Sequence, residues 1–401
     1  MIHPLSDELR EFIRQHADDD TDKLLLQAGR FPGIDIPAAV IQITARRQIR
    51  DKLPEWYANP ALFFPSRLSA EQCSSEACAA YKQSLLKGEN LCDLTGGLGI
   101  DSWYFSRKTT SVTYIEQNPD YCRAASLNFR ILGAENIRII EGDATTLAGE
   151  LSAGTFYIDP ARRAAGNRRL FALSDCEPDI LTLKPLLLPR CKRLILKTSP
   201  MADIGETLRL LPETREIHAI ALHNECKELL FVLEAGTFPA EKVKITCVNL
   251  KPGEKTIPFT FTPREEKTCA EHPANSISAY LYEPHAALLK GGAFKTIAER
   301  FKVYKLHKNS HLYTSGQWLP AFPGRQFRVE KIITFSGKNW KELKKEIPKA
   351  NITVRNFPLT VAELRQRSGI AEGGDLYLFA TTANPAQRII IIARKSPEIA
   401  P

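Results

Sequence analysis

The chain has 401 residues, 54 Lys and Arg against 46 Asp and Glu, a formal net charge of +8, 43% apolar and 25% charged residues. At roughly 100–200 residues per domain, that length suggests two or three domains, and the composition excludes a disordered or fibrous chain. No apolar run approaches the ~20 residues of a membrane span, and the amino terminus, MIHPLSDELREF, is acidic and amphipathic rather than a basic stretch leading into an apolar one, so a cytoplasmic protein without membrane partners is expected.

Residues 1–88 read as a helical region. A helix capped by Ser6 is followed by DTDKLLLQA and IPAAVIQITARRQIRDKLP with helical spacing. Pro54 ends the last of these, NPALFFPSRLS is a Pro-punctuated connector, and one further helix is expected from Ser69 to Gly88. That helix would carry Cys73 and Cys78 together; its Gln72, Ser74, Ser75 and Lys82, with Phe64 and Pro65 at the entrance, either cover a ligand or simply pack. Nine cysteines without a CxxC pair and eight histidines without HExxH spacing suggest reduced thiols and no metal.

Residues 89–235 alternate short apolar runs with helices: 91–94, 111–116, 137–143, 155–159, 193–197 and 228–234, with helical stretches at 119–132 and 178–188. This pattern predicts a doubly wound α/β sheet, mostly parallel. REIHAIAL (215–222) and ELLFVLE sit close enough for a terminal antiparallel hairpin. Residues 236–325 read as a smaller α+β segment, with a strand at KVKITCVNL and a helix over YEPHAALLKGGAFKTIAERF; His307 and His311 fall four apart on a possible helix. Residues 326–401 read as strand, helix, strand, helix and two strands, a compact α/β unit.

The charge is concentrated. Residues 290–350 hold 14 Lys and Arg against four Glu, interleaved with Phe294, Phe301, Tyr304, Tyr313, Trp318, Phe322 and Phe327. Such a block suits a polyanion, with cations for phosphates and rings for bases; a solvated basic face over an aromatic core fits equally.

The strongest local signal is DLTGGLGID (93–101), where an apolar strand turns into a helix. Glycines there let the backbone approach a ligand, and a helix N-terminus offers free N–H groups. Glu116 ends the next strand, where a carboxylate can accept from two ribose hydroxyls; Asp143 follows the third in EGDA; Asp159 closes the fourth in YIDPARR. Four polar clusters at successive strand ends mark the edge where open α/β sheets bind ligands.

These motifs resemble those of class I S-adenosylmethionine-dependent methyltransferases: DLTGGLG the glycine motif, YIEQNP the ribose motif, EGDA the adenine motif and YIDPAR the catalytic loop. The resemblance implies a Rossmann-like sheet and S-adenosyl-L-methionine as cofactor. Asp93, Thr95, Gly97 and Gly99 would lie on the methionine side, Glu116 and Gln117 at the ribose, and Asp143 with Ala144 at the adenine. Over nearly the whole chain, FFPSRLSAEQCSSEACAAYK, KTSPMADI and RNFPLTVAELRQRSGIAEGGDLYLF resemble a bacterial methyltransferase family with a C-terminal THUMP-like domain, which implies RNA, tRNA or rRNA, as partner. Leu68 to Arg163 also resembles the trimethylguanosine-synthase type of RNA guanine methyltransferase.

The candidate catalytic residues are Asp159, Pro160 and Arg162, with Arg163, Arg168 and Arg169 next to them suited to phosphate or guanine edges. Ala161 and Arg162 stand where exocyclic-amine methyltransferases carry an aromatic residue, so that template is not followed. Cys92 and Cys226 are weak candidates for a nucleophile, and Lys197, Thr198 and Ser199 end the fifth strand near the expected substrate cleft. Three readings remain: RNA base methylation, protein or small-molecule methylation, and RNA binding without transfer.

Overall fold

The computed structural model describes residues 4–162 and 173–395, and the chain divides into two units. One comprises residues 1–222, 227–240 and 250–254, the other 223–226, 241–249 and 255–401.

The first unit opens with helices set by their caps. Ser6 accepts from Leu9 N–H ahead of α1 (Asp7–Gln15), Asp20 caps α2 (Thr21–Leu26), and Asp35 caps α3 (Ile36–Ile49). A short α4 (Pro54–Tyr57) follows. The single helix expected from Ser69 is two helices: α5 (Arg67–Gln72), capped by Ser66, and α6 (Glu76–Lys82), capped by Ser75. Serine hydroxyls compete for backbone N–H groups; Ser75 Oγ takes Cys78 N–H at 3.3 Å and restarts the helix. Cys73 and Cys78 therefore sit on different elements. Trp56, Phe64 and Ile49 pack with Trp103 and Phe129 in one buried cluster, so the helices share a core with the sheet. Phe64 has no exposed surface, and its backbone C=O and N–H bond the side-chain amide of Gln42, which excludes it from any cleft entrance.

The sheet of this unit contains β1 (Asn90–Asp93), β2 (Ser111–Glu116), β3 (Ile137–Glu141), β4 (Thr155–Ile158), β7 (Arg193–Thr198), β8 (Thr214–Leu222) and β9 (Glu225–Leu233). Their order is β8-β9-β7-β4-β1-β2-β3. Strands β1, β2, β3, β4 and β7 run parallel, whereas β9 runs antiparallel to β7. Helices α7 (Ile100–Ser106), α8 (Pro119–Ile131), α9 (Ala144–Leu147), α10 (Ile180–Leu187) and α11 (Ile204–Leu210) connect them, while β5 (Ala161–Arg162) pairs with β6 (Cys176–Glu177) after β4. Asn118, Asp143, Asp179 and Asp203 cap α8 to α11. The strand order reverses between β1 and β4, which opens a crevice at their carboxyl ends.

In the second unit β10 (Lys244–Leu250) and β11 (Phe259–Phe261) form an antiparallel pair, followed by α12 (Pro263–Thr268). A separate sheet holds β12 (Tyr280–Pro284), β13 (Tyr304–Lys305), β14 (Tyr313–Ser315), β15 (Gly324–Thr334), β16 (Asn351–Arg355), β17 (Leu376–Ala383) and β18 (Gln387–Lys395), in the order β13-β14-β12-β15-β18-β17-β16. It is mostly antiparallel, with β16 and β17 parallel. The helix expected over 282–301 is instead the end of β12 followed by α13 (Ala286–Gly291) and α14 (Phe294–Phe301), separated at Gly292, which sits at φ 83°. His307 and His311 are on no helix; His311, at φ 51°, stacks on Phe294 with centroids 3.8 Å apart. Helices α15 (Gly337–Glu346) and α16 (Val361–Ser368) bury Trp340, Leu343 and Leu364.

The basic block separates into two layers. Tyr313, Phe322 and Phe327 are buried, and only Tyr304 among the interleaved rings is more than half exposed. Lys338, Lys341, Lys344 and Lys345 on α15, with Lys331 and Lys349 beside it in sequence, are exposed. Three of the seven rings thus build the core while the lysines present the charge, so those three are unavailable for stacking on bases. No helix among the described residues is long and apolar enough to cross a membrane.

Candidate active site

The carboxyl ends of β1, β2, β3, β4 and β7 border one cleft of about 860 Å³ in the first unit. Its lining brings together Asp93, Thr95, Gly97, Gly99, Glu116, Gln117, Asp143, Ala144, Asp159 and Pro160. Of the arginines that follow Pro160, Arg162 has its backbone paired with Cys176 in the β5–β6 ribbon. The Arg162 side chain and Arg163, Arg168 and Arg169 lie outside the described residues.

The turn after β1 is fixed from several sides. Gly97 (φ 54°) and Gly99 (φ 86°) adopt the left-handed conformation that favours glycine. A Cβ on Gly99 would lie 2.6 Å from the Phe129 ring, whereas one on Gly97 would meet nothing closer than 3.9 Å. Gly99 therefore lets α7 and α8 pack closely, and Gly97 leaves space in the cleft. Glu116 accepts from the backbone N–H groups of Gly97 and Asn118, each at 2.8 Å, so one carboxylate ties the glycine turn to the end of β2. With about four lone-pair sites, it can still accept from a ligand. Asp143 Oδ1 caps α9 through Thr145 N–H at 2.8 Å and remains exposed at the cleft edge.

Asp93 and Thr95 are committed to shaping the site. Asp93 is 1% exposed and accepts from Thr95 N–H at 3.1 Å and Ser102 Oγ at 2.6 Å. Burial pushes its carboxyl up to about 7. The proton on Asp93 thus contributes stability that is fully present below the unfolded carboxyl value of ~4 and is lost as pH rises through about 7. Asp93→Asn, neutral at every pH, is expected to flatten this part of the stability profile, as read by denaturant unfolding across that window. An unchanged slope would show that Asp93 ionises freely. Thr95 Oγ1 accepts from Asp159 N–H at 2.7 Å, joining the glycine turn to the segment that follows β4.

Behind Asp159 lies a buried ionic cluster. Lys197 Nζ donates to Asp159 Oδ2 at 2.5 Å and stands 3.9 Å from Glu228 Oε2. Lys82, with no exposed surface, reaches Asp101 at 2.8 Å, Glu228 at 3.4 Å, Ser74 Oγ at 2.8 Å and Tyr157 Oη at 3.3 Å. Ser74 and Tyr157 also donate to Asp101 Oδ2, at 2.7 and 2.8 Å. Burial alone lowers both ammonium groups. Asp159, Glu228 and Asp101 outweigh it around Lys197 and hold it well above the usual lysine value; Asp101 and Glu228 do the same for Lys82. Asp101 is raised by burial, but the two lysines outweigh this and keep it below the usual carboxylate value.

Lys82 is therefore beneath the cleft rather than covering it. Gln72 and Ser74 line the wall, while Ser75 serves as a helix cap. Lys197, Thr198 and Ser199 line the cleft as expected from their strand end. Asp101, Tyr157 and Glu228 were missed by the sequence reading. Their only local signal is a charged or hydroxyl group placed within an otherwise apolar element. Cys92 is buried and its thiol is raised by that burial, which leaves it without thiolate character.

The arrangement fits a nucleoside-bearing cofactor. The cradle at Gly97 is open, Glu116 faces it, and Thr198 Oγ1, on a residue 4% exposed, lines the cleft with no hydrogen-bond partner among the described residues.

Residues 280–323 match a ferredoxin-like domain family and residues 324–395 a THUMP domain-like family. None of the curated proteins compared with the chain matches it. A crystal structure titled as a "putative methyltransferase" from Porphyromonas gingivalis W83 is 40% identical, covers 97% of this chain and 98% of its own, and superposes with a TM-score of 0.86. An rRNA methylase from Streptococcus thermophilus matches 39% of this chain and 94% of its own at 14% identity and a TM-score of 0.30. A Streptococcus mutans protein titled as a "putative methyltransferase", in complex with SAH, matches 39% and 95% at 12% identity and the same TM-score. With the sheet order, the strand-end cleft and a full-length relative at 40% identity together, the chain belongs to the class I methyltransferase family that carries a C-terminal THUMP-like domain.

Proposed function

We propose that this protein transfers a methyl group from S-adenosyl-L-methionine to RNA. The observation that carries the reading is the convergence of Gly97, Glu116, Asp143 and Asp159 from four strand ends on one cleft. The turn at Gly97 and Gly99, shaped by Asp93 and Thr95, would hold the methionine part. Glu116 and Gln117 would hold the ribose, and Asp143 with Ala144 the adenine. When bound, the cofactor supplies an activated methyl group. The protein's own residues orient the acceptor, exclude water and manage its proton, with Asp159 and Pro160 at the point of transfer.

RNA as substrate is supported by the THUMP domain-like match over residues 324–395 and by the outward lysines of α15 and its flanks. With three of the seven interleaved rings buried and the lysines turned outward, binding would rest chiefly on phosphate contacts, so RNA affinity is expected to fall steeply between low and moderate salt.

The direct test incubates purified protein with radiolabelled S-adenosylmethionine and total RNA from a strain lacking the gene. Label should enter one RNA size class and be lost, by about 10²-fold or more, in Asp159→Ala. Cofactor binding without RNA labelling would instead favour a protein or small-molecule acceptor, or a binding protein.

A further inference from the structure

We propose that the group methylated is a hydroxyl, the 2′-hydroxyl of an RNA ribose, with Lys197 and Asp159 acting on it directly and Glu228 and Lys82 positioning them. This rests on the RNA-methylation reading above and specifies its acceptor atom.

Charge distinguishes the possible acceptors. An amine nitrogen that accepts a methyl cation becomes positively charged, and an ammonium beside it opposes the reaction. A hydroxyl oxygen that accepts one must shed its proton and becomes negative on the way, and an ammonium beside it helps. The cleft floor carries such an ammonium. Lys197 lines it, bonded to Asp159, which directly follows the neighbouring parallel strand β4. Glu228, 3% exposed, backs Lys197, and Lys82 braces Glu228 from below. Asp159 and Glu228, with Asp101 behind them, thus hold Lys197 as a fixed cation where the methyl acceptor would sit.

The cleft lining is poor in rings. Tyr121, on the helix that follows the Glu116 strand end, is the aromatic residue that lines the cleft among the described residues. The position after Pro160 is Ala161. An enzyme acting on a base commonly stacks it on aromatic rings; a ribose needs polar groups, and Lys197, Thr198 and Ser199 line this cleft, beside the apolar Pro200 and Met201. Lys197 occupies Asp159 Oδ2 and leaves Oδ1 for a second donor.

In the transfer the O–H bond breaks as the O–CH3 bond forms, and the proton passes to Asp159. Lys197 stabilises the negative charge that develops on oxygen. The methyl comes from the sulfonium of S-adenosylmethionine, and the electron pair of the broken S–CH3 bond stays on sulfur in the neutral thioether product.

Alkaline hydrolysis of the labelled RNA tests the acceptor in the unmodified protein. Cleavage next to a ribose requires its free 2′-hydroxyl, so a 2′-O-methyl group leaves the label in dinucleotides, which is the expected result. Label in mononucleotides would overturn the hydroxyl inference and leave RNA methylation standing. No label in RNA, from protein shown by calorimetry to bind S-adenosylhomocysteine, would overturn both.

Three variant measurements add independent readouts. Lys197→Met should lower kcat by about 10²–10³-fold with S-adenosylhomocysteine affinity unchanged; an unchanged kcat would overturn the role of Lys197. Glu228→Gln, nearly isosteric, should move the alkaline limb of the pH–rate profile to lower pH. By NMR of the free protein, the Lys197 ammonium should stay protonated above the ~10.4 of an ordinary lysine and titrate lower in Asp159→Asn. A Lys197 that is neutral near pH ~7 would overturn the proposal.

Discussion

Replacing Lys82 with Met is expected to destabilise the first unit by about 3–5 kcal/mol, the usual consequence of removing one partner from a buried ion pair. Lys82 has no exposed surface, and its ammonium lies 2.8 Å from Asp101 and 3.4 Å from Glu228. Methionine fills much of the same volume but leaves two carboxylates buried without their common cation. The size of the effect depends on Lys197, which stands 3.9 Å from Glu228 and compensates part of its charge. Differential scanning calorimetry should show the transition of this unit lowered by on the order of 10 °C. Asp101 is held below the usual carboxylate value in the native protein, so its contribution is present above the unfolded value and lost as pH falls. In the variant this stabilisation is gone, so the difference from the unmodified protein should shrink on acidification. Lys87→Met, which removes a half-exposed pair with Glu234 at 2.9 Å, should cost less than about 1 kcal/mol. A loss that small for Lys82 would mean that water entering from the cleft solvates the exposed carboxylates.

This cluster marks the boundary of what the sequence makes legible. The glycine turn and the acids at 116, 143 and 159 could be found because each lies at the end of an apolar run, and strand ends of a parallel sheet meet at one edge. The terminal hairpin was legible for a similar local reason: two apolar runs separated by a short turn. The ionic floor has no such signature. Lys82 and Glu228 are 146 residues apart, and Lys82 and Tyr157 are 75 apart. Their pairing exists only once α6 and β9 are folded against β4. Lys82 does share a helix face with Cys78, four residues before it, and both are buried. A lysine on the apolar side of a helix hints at a buried acid but cannot name it. Helix continuity failed for a different reason. Ser74–Ser75 and Gly291–Gly292 interrupt runs whose apolar spacing continues across them, and caps outcompete periodicity at such points. The aromatic residues of the basic block illustrate a third limit, since composition places rings and cations together without saying which face each takes.

Glu116 should matter more for cofactor affinity than any other single side chain in the cleft. Its two oxygens hold Gly97 N–H and Asn118 N–H at 2.8 Å, so removing it frees the glycine turn as well as the proposed ribose acceptor. Hydrogen bonds to a charged group contribute about 1.5–3 kcal/mol each, and the lost loop order adds to the binding cost. Glu116→Ala is therefore expected to raise the Kd for S-adenosylhomocysteine by about 10²-fold or more, equivalent to roughly 2.7 kcal/mol. Glu116→Gln keeps one acceptor oxygen but presents an NH2 group to the other backbone N–H, and about a tenfold loss is expected. Asp120, exposed and ion-paired with Arg123, provides a nearby control whose replacement by Ala should leave affinity unchanged. Asp159→Ala should also bind the cofactor nearly normally while failing to transfer, because its side chain bonds Lys197 and only its backbone N–H, which Ala keeps, reaches Thr95 in the glycine turn. Calorimetry separates these cases. If Glu116→Ala binds as tightly as the unmodified protein, the cofactor does not occupy the cleft at Gly97, and the assignment of the strand-end acids to ribose and adenine falls with it.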